Sequence, residues 1–178
     1  MMKALLIATL VAASFAAHAE DNSSPAPQGY TAMCKRDASL PECGGVFRSS
    51  TSSKVSLGWL KRVNENINRE MKYSPDQTHY GVPEYWEVPK DWQGVCHAYA
   101  LAKLHALLAL GWDIKDLRLA AGMVENQWHI VLIAHVDGKD YVLDSYEQSV
   151  LEAKDSKIEW SRIQASGGSQ SWIVYDPA

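Results

Sequence analysis

The step that most restricts this chain is Asp137-Gly138, which separates QWHIVLIAHV (127 to 136) from DYVLDS (140 to 145). An Asp-Gly pair between two apolar, β-branched runs predicts a two-residue hairpin, because the turn needs positive φ and these residues adopt it cheaply. Such a turn pairs Val136 with Lys139 and sets Val131 opposite Asp144 and His129 opposite Tyr146. His129 and Asp144 become diagonal neighbours on one face, about 7–8 Å apart at Cα, so an imidazole and a carboxylate can lean together. A four-residue loop keeps that shared face, and a three-residue bulged loop destroys it. An aspartate accepting the Nδ1 proton of a histidine fixes the tautomer and leaves the other nitrogen as a base. A nucleophile would complete the set.

The stretch DWQGVCHAYALAKLH (91 to 105) offers one. Gly94 loosens the backbone before a predicted helix, Leu101, Leu104 and Leu108 form its core stripe, and Gly111 falls where a C-terminal left-handed residue is expected. Cys96 stands at the first turn, where the helix dipole and unpaired amides favour a thiolate. Its own N–H is the expected oxyanion donor, with Gln93 or Trp92 as the second. Each residue alone has a plainer reading: a lone cysteine as a small core hydrophobe, a hairpin histidine as a satisfied structural group, a strand-end aspartate as a turn cap. Their combination points to catalysis.

The cysteine count sharpens this. MMK, the apolar run ALLIATLVAASFAA and the triplet AHA predict a signal peptide over 1–19, too short to span a bilayer, and hence a periplasmic or secreted protein. In an oxidising compartment an even pair closes, and CKRDASLPEC predicts a disulfide between Cys34 and Cys43, leaving Cys96 unpaired. Removing Lys3 with the leader leaves 16 basic against 21 acidic residues, interspersed, which argues against nucleic acid as a partner. His97, His105 and His135 lack ligand-like spacing and Cys96 has no neighbouring cysteine, so no metal site is expected.

Residues 20–33, rich in Pro, Ser and Asn, read as a flexible tether, and 34–178 as a single domain. SSTSSKVS (49 to 56) reads as a surface connection. Leu57, Leu60, Val63, Ile67 and Met71 predict a helix with Asn and Arg on its outer face. Residues 73 to 95 read as an ordered, aromatic connection. LRLAAGMV (117 to 124) predicts a strand and SWIVYD (171 to 176) an edge strand.

GVCHAYA resembles the G-x-C-x-x-x-A nucleophile helix of transglutaminase-like proteins, and NQWHIVLIAHVDGKDYVLDS their histidine and aspartate strands. VNENIN, YW at 85 and 86, ALAKLHALLALG, LRLAAGMV, YVLDSYEQSV and the early cysteine pair resemble the bacterial transglutaminase-like cysteine proteinase family. The resemblance implies an α+β, papain-like fold with the nucleophile helix packed on an antiparallel sheet, and a Cys96, His129 and Asp144 triad acting on protein substrates in the periplasm. Some members release surface adhesins under an inner-membrane receptor for cyclic di-GMP, which implies a possible regulatory partner of that kind. Those members flank the cysteine with acids that bind calcium. Here Val95, His97 and Ala98 stand in those places, so no cofactor is expected.

Three functions are compatible with these residues. The first is hydrolysis of a peptide bond through a thioester acyl-enzyme. The second is transglutaminase or deamidase chemistry on glutamine, which needs the same triad. The third is a catalytically idle peptide-binding domain.

Overall fold

The structure is a computed structural model that describes residues 22–47 and 56–177. The predicted leader and most of the connection at 49 to 56 lie outside the described residues. In chain order the elements are β1 (Ser23–Ser24), α1 (Gln28–Arg36), α2 (Leu57–Glu70), β2 (Lys72–Tyr73), α3 (Asp76–His79), β3 (Gln93–Gly94) and α4 (Cys96–Ala109). They continue with β4 (Leu117–Val124), β5 (Gln127–Val136), β6 (Lys139–Leu143), β7 (Leu151–Glu152), β8 (Glu159–Gln164) and β9 (Trp172–Val174). Seven strands form one antiparallel sheet in the order β1-β9-β8-β4-β5-β6-β7, and β2 and β3 form a short parallel pair. The α+β architecture expected from the sequence is present.

The sheet is covered on both sides, which is why His129 through Ala134 of β5 are buried without a break. One core holds Leu101, Leu104, Leu107 and Leu108 of α4 with Leu119, Ile130 and Leu132. The other holds Ala120, Val131, Ile133, Val142, Ile158 and Ile163. Each fully buried leucine contributes roughly 2 kcal/mol of transfer free energy before entropy is counted. That packing fixes α4 across β5 and thereby fixes Cys96 relative to the strand carrying His129.

The hairpin register is the one Asp137-Gly138 predicts: Val136 pairs with Lys139 and Leu132 with Leu143, and both turn residues have positive φ. A second hairpin turns through Glu125 and Asn126, also at positive φ. Gly122 lies opposite His129, and a Cβ there would meet the carbonyl oxygen of Glu159 at 2.7 Å and Ile158 at 2.4 Å. Only glycine lets β8 approach β4 so closely.

Three expectations need correction. The tether is not one where it is described, since β1 pairs with β9 and α1 buries Tyr30 and Met33. Tyr30 packs edge-on against Trp86 and Trp172, and its hydroxyl donates to the Glu42 carbonyl at 2.6 Å, which ties that segment down. The Cys34–Cys43 disulfide closes beside it. The expected edge strand, β9, lies between β8 and β1 and is not an edge. On α2, Asn64 belongs to the buried face, because its Nδ2 donates to the carbonyls of Glu147 and Gln148.

Candidate active site

Helix α4 begins at Cys96, so that residue's N–H is among the amides with no intrahelical acceptor. The N-cap is Val95, which supplies no side-chain cap, where Ser, Thr, Asp or Asn would ordinarily satisfy one of those donors. Gly94 precedes it at φ 154°, and a Cβ there would lie 2.4 Å from the Ala98 Cβ. The chain can therefore enter the helix tightly only through glycine. Cys96 is the one free cysteine among the described residues and is half-buried.

The structure brings His129 and Asp144 together. His129 Nε2–H donates to Asp144 Oδ1 at 2.6 Å, and both side chains are almost fully buried. The same oxygen accepts the Tyr146 N–H at 2.9 Å, and the Tyr146 ring stacks on the imidazole at 4.3 Å. Asn68 of α2 donates to the Asp144 carbonyl at 2.8 Å and to the Glu147 carbonyl at 3.2 Å, which holds the aspartate's backbone in place.

One detail differs from the sequence expectation. Asp144 accepts the hydrogen bond of Nε2–H, not of Nδ1–H, because a carboxylate reaching across the diagonal meets the far side of the ring. Nδ1 is buried with no hydrogen-bond partner, and the Cys96 sulfur lies close enough to influence the ring. Burial alone would lower the His129 pKa. The Asp144 hydrogen bond and the nearby Cys96 outweigh it and hold the value at about 9. For Asp144 burial pushes upward, but the bond and charge of His129, the Tyr146 amide and the charge of Lys103 hold it below the usual carboxylate range. At neutral pH the pair is therefore an imidazolium and a carboxylate.

A cleft of about 370 Å³ opens beside Cys96, with Trp86, His97, Trp128, Ile130 and Arg162 among its walls. Trp92, Trp128 and Tyr146 are exposed large side chains, which is costly unless they meet something. Of the two predicted oxyanion donors, the Gln93 side chain is tied at 3.4 Å to Asp91 Oδ2, while Trp92 sits at φ 60°. Lys103, Asn68 and Tyr146 were not singled out as functional from the sequence. The visible signal for Lys103 was a single cation two turns after Cys96 on an otherwise apolar helix face.

The three isolated histidines are accounted for separately. His97 donates from Nε2 to the Tyr85 carbonyl at 3.1 Å, stacks on Trp86 and lies 3.4 Å from Asp76. His105 meets the buried Glu42 and His135 meets Asp140. Among the described residues no group of three or more His, Cys, Asp or Glu side chains is placed to hold a metal ion, and no helix is long and apolar enough to cross a membrane.

Comparison with known proteins gives a consistent result. A family model described as bacterial transglutaminase-like cysteine proteinase matches residues 20–177. The calcium-bound structure of Legionella pneumophila LapG aligns at a TM-score of 0.57 and 24% identity, covering 71% of this chain and 74% of that one. The EGTA-treated LapG structure of the same organism aligns at 0.56 and 25%, covering 70% of each chain, and a third LapG structure at 0.54 and 25%, covering 68% and 71%. No curated protein sequence matches the chain.

Proposed function

Because the chain belongs to the bacterial transglutaminase-like cysteine proteinase family, and is a cysteine protease acting on a protein substrate, we propose that it hydrolyses peptide bonds through Cys96, His129 and Asp144 in the periplasm or outside the cell. One observation carries the assignment of roles: the 2.6 Å bond from His129 Nε2 to Asp144, which leaves Nδ1, buried and without another partner, as the nitrogen available to serve Cys96.

In this reading Cys96 attacks the scissile carbonyl carbon in its thiolate form, the nucleophilic one, beside the His129 imidazolium. The oxyanion is held by the Cys96 N–H, helped by the absence of a competing side-chain cap at Val95. His129 Nδ1–H protonates the leaving amine, the C–N bond breaks, and a thioester remains. Water then gives a proton to Nδ1 and its oxygen to the acyl carbon, and the sulfur leaves as thiolate. Asp144 stays ionised throughout and keeps the ring from turning. The exposed Trp92, Trp128 and Tyr146 supply apolar contacts for an extended peptide.

We read the enzyme as independent of calcium. One of the LapG structures is calcium-bound, but here the residue after Cys96 is a buried histidine held by Trp86 and the Tyr85 carbonyl. Asp76 Oδ2 accepts the Tyr85 N–H at 2.7 Å and its Oδ1 is buried without a partner, so the flank offers a single unpaired carboxylate oxygen where calcium takes about six to eight ligands. Cleavage should be unchanged by EGTA.

The test is incubation of the purified protein with unfolded casein, scoring new N-termini by mass spectrometry, for wild type and Cys96→Ala. Wild-type cleavage that vanishes in Cys96→Ala supports the proposal. Incorporation of a fluorescent primary amine without new N-termini would replace hydrolysis with acyl transfer to glutamine. A thiol inert to iodoacetamide in the folded protein would leave only a binding role.

A further inference from the structure

One row of the sheet reads Ile130, Ala121, Arg162, since Ala121 of β4 pairs with Ile130 of β5 on one side and with Arg162 of β8 on the other. Cross-strand partners share a face, and Ile130 and Ala121 belong to the core under α4, so Arg162 stands on that side of the sheet too. All three line the cleft beside Cys96, together with Trp128. A half-buried cation is therefore part of the space a substrate must enter.

The fold itself uses little of this side chain. Nη1 donates to the Pro25 carbonyl at 2.7 Å, the guanidinium carbon lies 5.0 Å from the centre of the Trp128 ring, and Nε is buried with no partner. Among the described residues no carboxylate pairs with Arg162, whereas Arg118, the other arginine in the sheet, meets Asp140 at 2.9 Å. The acids on the cleft are engaged elsewhere: Glu84 Oε1 accepts the Trp86 indole N–H at 2.9 Å, and Asp76 is buried against His97. A neutral donor would hold the Pro25 carbonyl equally well without drawing a permanent charge half out of water. Lying on the Trp128 ring, the guanidinium is held in one orientation with most of its donors unused, the arrangement that receives a carboxylate through two parallel bonds. Acidic residues outnumber basic ones over the whole chain, so attraction for an anion has to be this local.

We propose that Arg162 is a specificity residue of the cleft: it binds a substrate carboxylate, from an Asp or Glu side chain close to the scissile bond or from a free chain end, and directs cleavage to such sites. This rests on the thiol-protease reading above. Arg162 carries no proton in the reaction; it selects the bond presented to Cys96, and the triad cuts it.

The experiment uses the purified wild type with Arg162→Gln, Arg162→Lys and Arg162→Glu, each first shown to melt cooperatively. A library of mixed-sequence peptides is digested, the residues flanking each new terminus are counted by mass spectrometry, and matched peptides with Glu or Gln at the favoured position then give kcat/KM. The wild type should prefer Glu to Gln roughly ten- to a hundredfold, the worth of a hydrogen bond to a charged group. Arg162→Gln should bring that ratio to about one, and Arg162→Lys should keep part of it. Arg162→Glu should turn the preference to Lys or Arg at the same position, which a residue that only held Pro25 could not do. Amidating the peptide C-termini separates the two sources: loss of cleavage assigns the cation to a chain end, and unchanged cleavage assigns it to a side chain. Cys96-dependent cleavage without an acidic preference, or a Glu-to-Gln ratio that Arg162→Gln leaves unchanged, would overturn the role of Arg162 alone. A wild type with no Cys96-dependent cleavage would overturn the protease reading, and this proposal with it.

Discussion

On one side of Cys96, His129 meets Asp144 at 2.6 Å; on the other, His97 approaches Asp76 at 3.4 Å. All four side chains are buried, yet the His129 pKa is raised to about 9 while burial pushes that of His97 below its ordinary value, against the pull of Asp76, the Tyr85 carbonyl and Glu84. The difference lies in what each proton meets. Asp144 Oδ1 accepts the His129 Nε2–H hydrogen bond directly. His97 Nε2–H points to a neutral carbonyl, and Asp76 Oδ2 is already accepting the Tyr85 amide. Proximity of a carboxylate does not by itself charge a histidine; the short bond decides whether desolvation or pairing wins. One pair is therefore built for proton transfer, and the other bolts residues 76 to 86 onto the nucleophile helix.

The largest break in this comparison is expected in activity. His129→Ala should lower casein cleavage roughly 10²–10⁴-fold, the usual worth of a positioned acid and base. His97→Gln, which keeps a donor for the Tyr85 carbonyl, should cost under about tenfold, because it touches the helix and not the proton path. Initial rates under matched conditions check both. Equal losses would mean that the two pairs are not functionally distinct.

Stability should then separate them in pH. A folded His129 pKa of about 9 against the ordinary 6.5 means the folded state holds the proton more tightly. That stabilisation is complete below about 6.5 and is lost as the pH rises through 9, and it amounts to roughly 3 kcal/mol at about 1.4 kcal/mol per unit. Lys103, whose folded pKa is lowered, contributes the opposite slope in part of the same window. Denaturant midpoints of His129→Gln and wild type must therefore be compared pH by pH. Their gap should narrow between pH 6.5 and 9.

A smaller effect tests what holds Asp144 in reach. Asn68→Ala removes the bonds to the Asp144 and Glu147 carbonyls and should cost about 1–2 kcal/mol of stability. Activity should fall a few-fold with little change in KM, since the aspartate loosens while the substrate cleft stays intact.

How much of this was legible in the sequence follows from how local each cause is. Asp137-Gly138 fixes a register by itself, so the Val136–Lys139 pairing and the nearness of His129 to Asp144 could be read from a dozen residues. The same holds for the start of α4. The ring nitrogen facing Asp144 could not be read, because it depends on side-chain reach across a diagonal. Strand β8, EWSRIQ, escaped notice because only Trp160 and Ile163 of its residues are apolar and its register against β4 shifts between Ala121 and Gly122. Residues 20 to 33 look like a tether until Trp86 and Trp172, distant in sequence, offer Tyr30 a pocket. Asn64 and Asn68 look like solvent-facing residues until the loop after β6 presents its carbonyls to them.

The smallest expected effect concerns His97, and it runs in the direction opposite to His129. A histidine whose folded pKa lies below its unfolded value binds fewer protons when folded, so its contribution weakens the fold as the pH drops below about 6.5. Protonation would place a cation beside Asp76, but in a buried ring stacked on Trp86, 4.8 Å away and nearly parallel, where the charge is cut off from water. In His97→Gln the lost stack lowers stability by a similar amount at every pH, while the acid-side slope disappears. Denaturant midpoints of wild type and His97→Gln should therefore converge as the pH falls from 7 to 5. A gap that stays constant or widens would mean that His97 is protonated in the folded state, in which case Asp76 pairs with it as Asp144 does with His129, and the short bond is not what distinguishes the two.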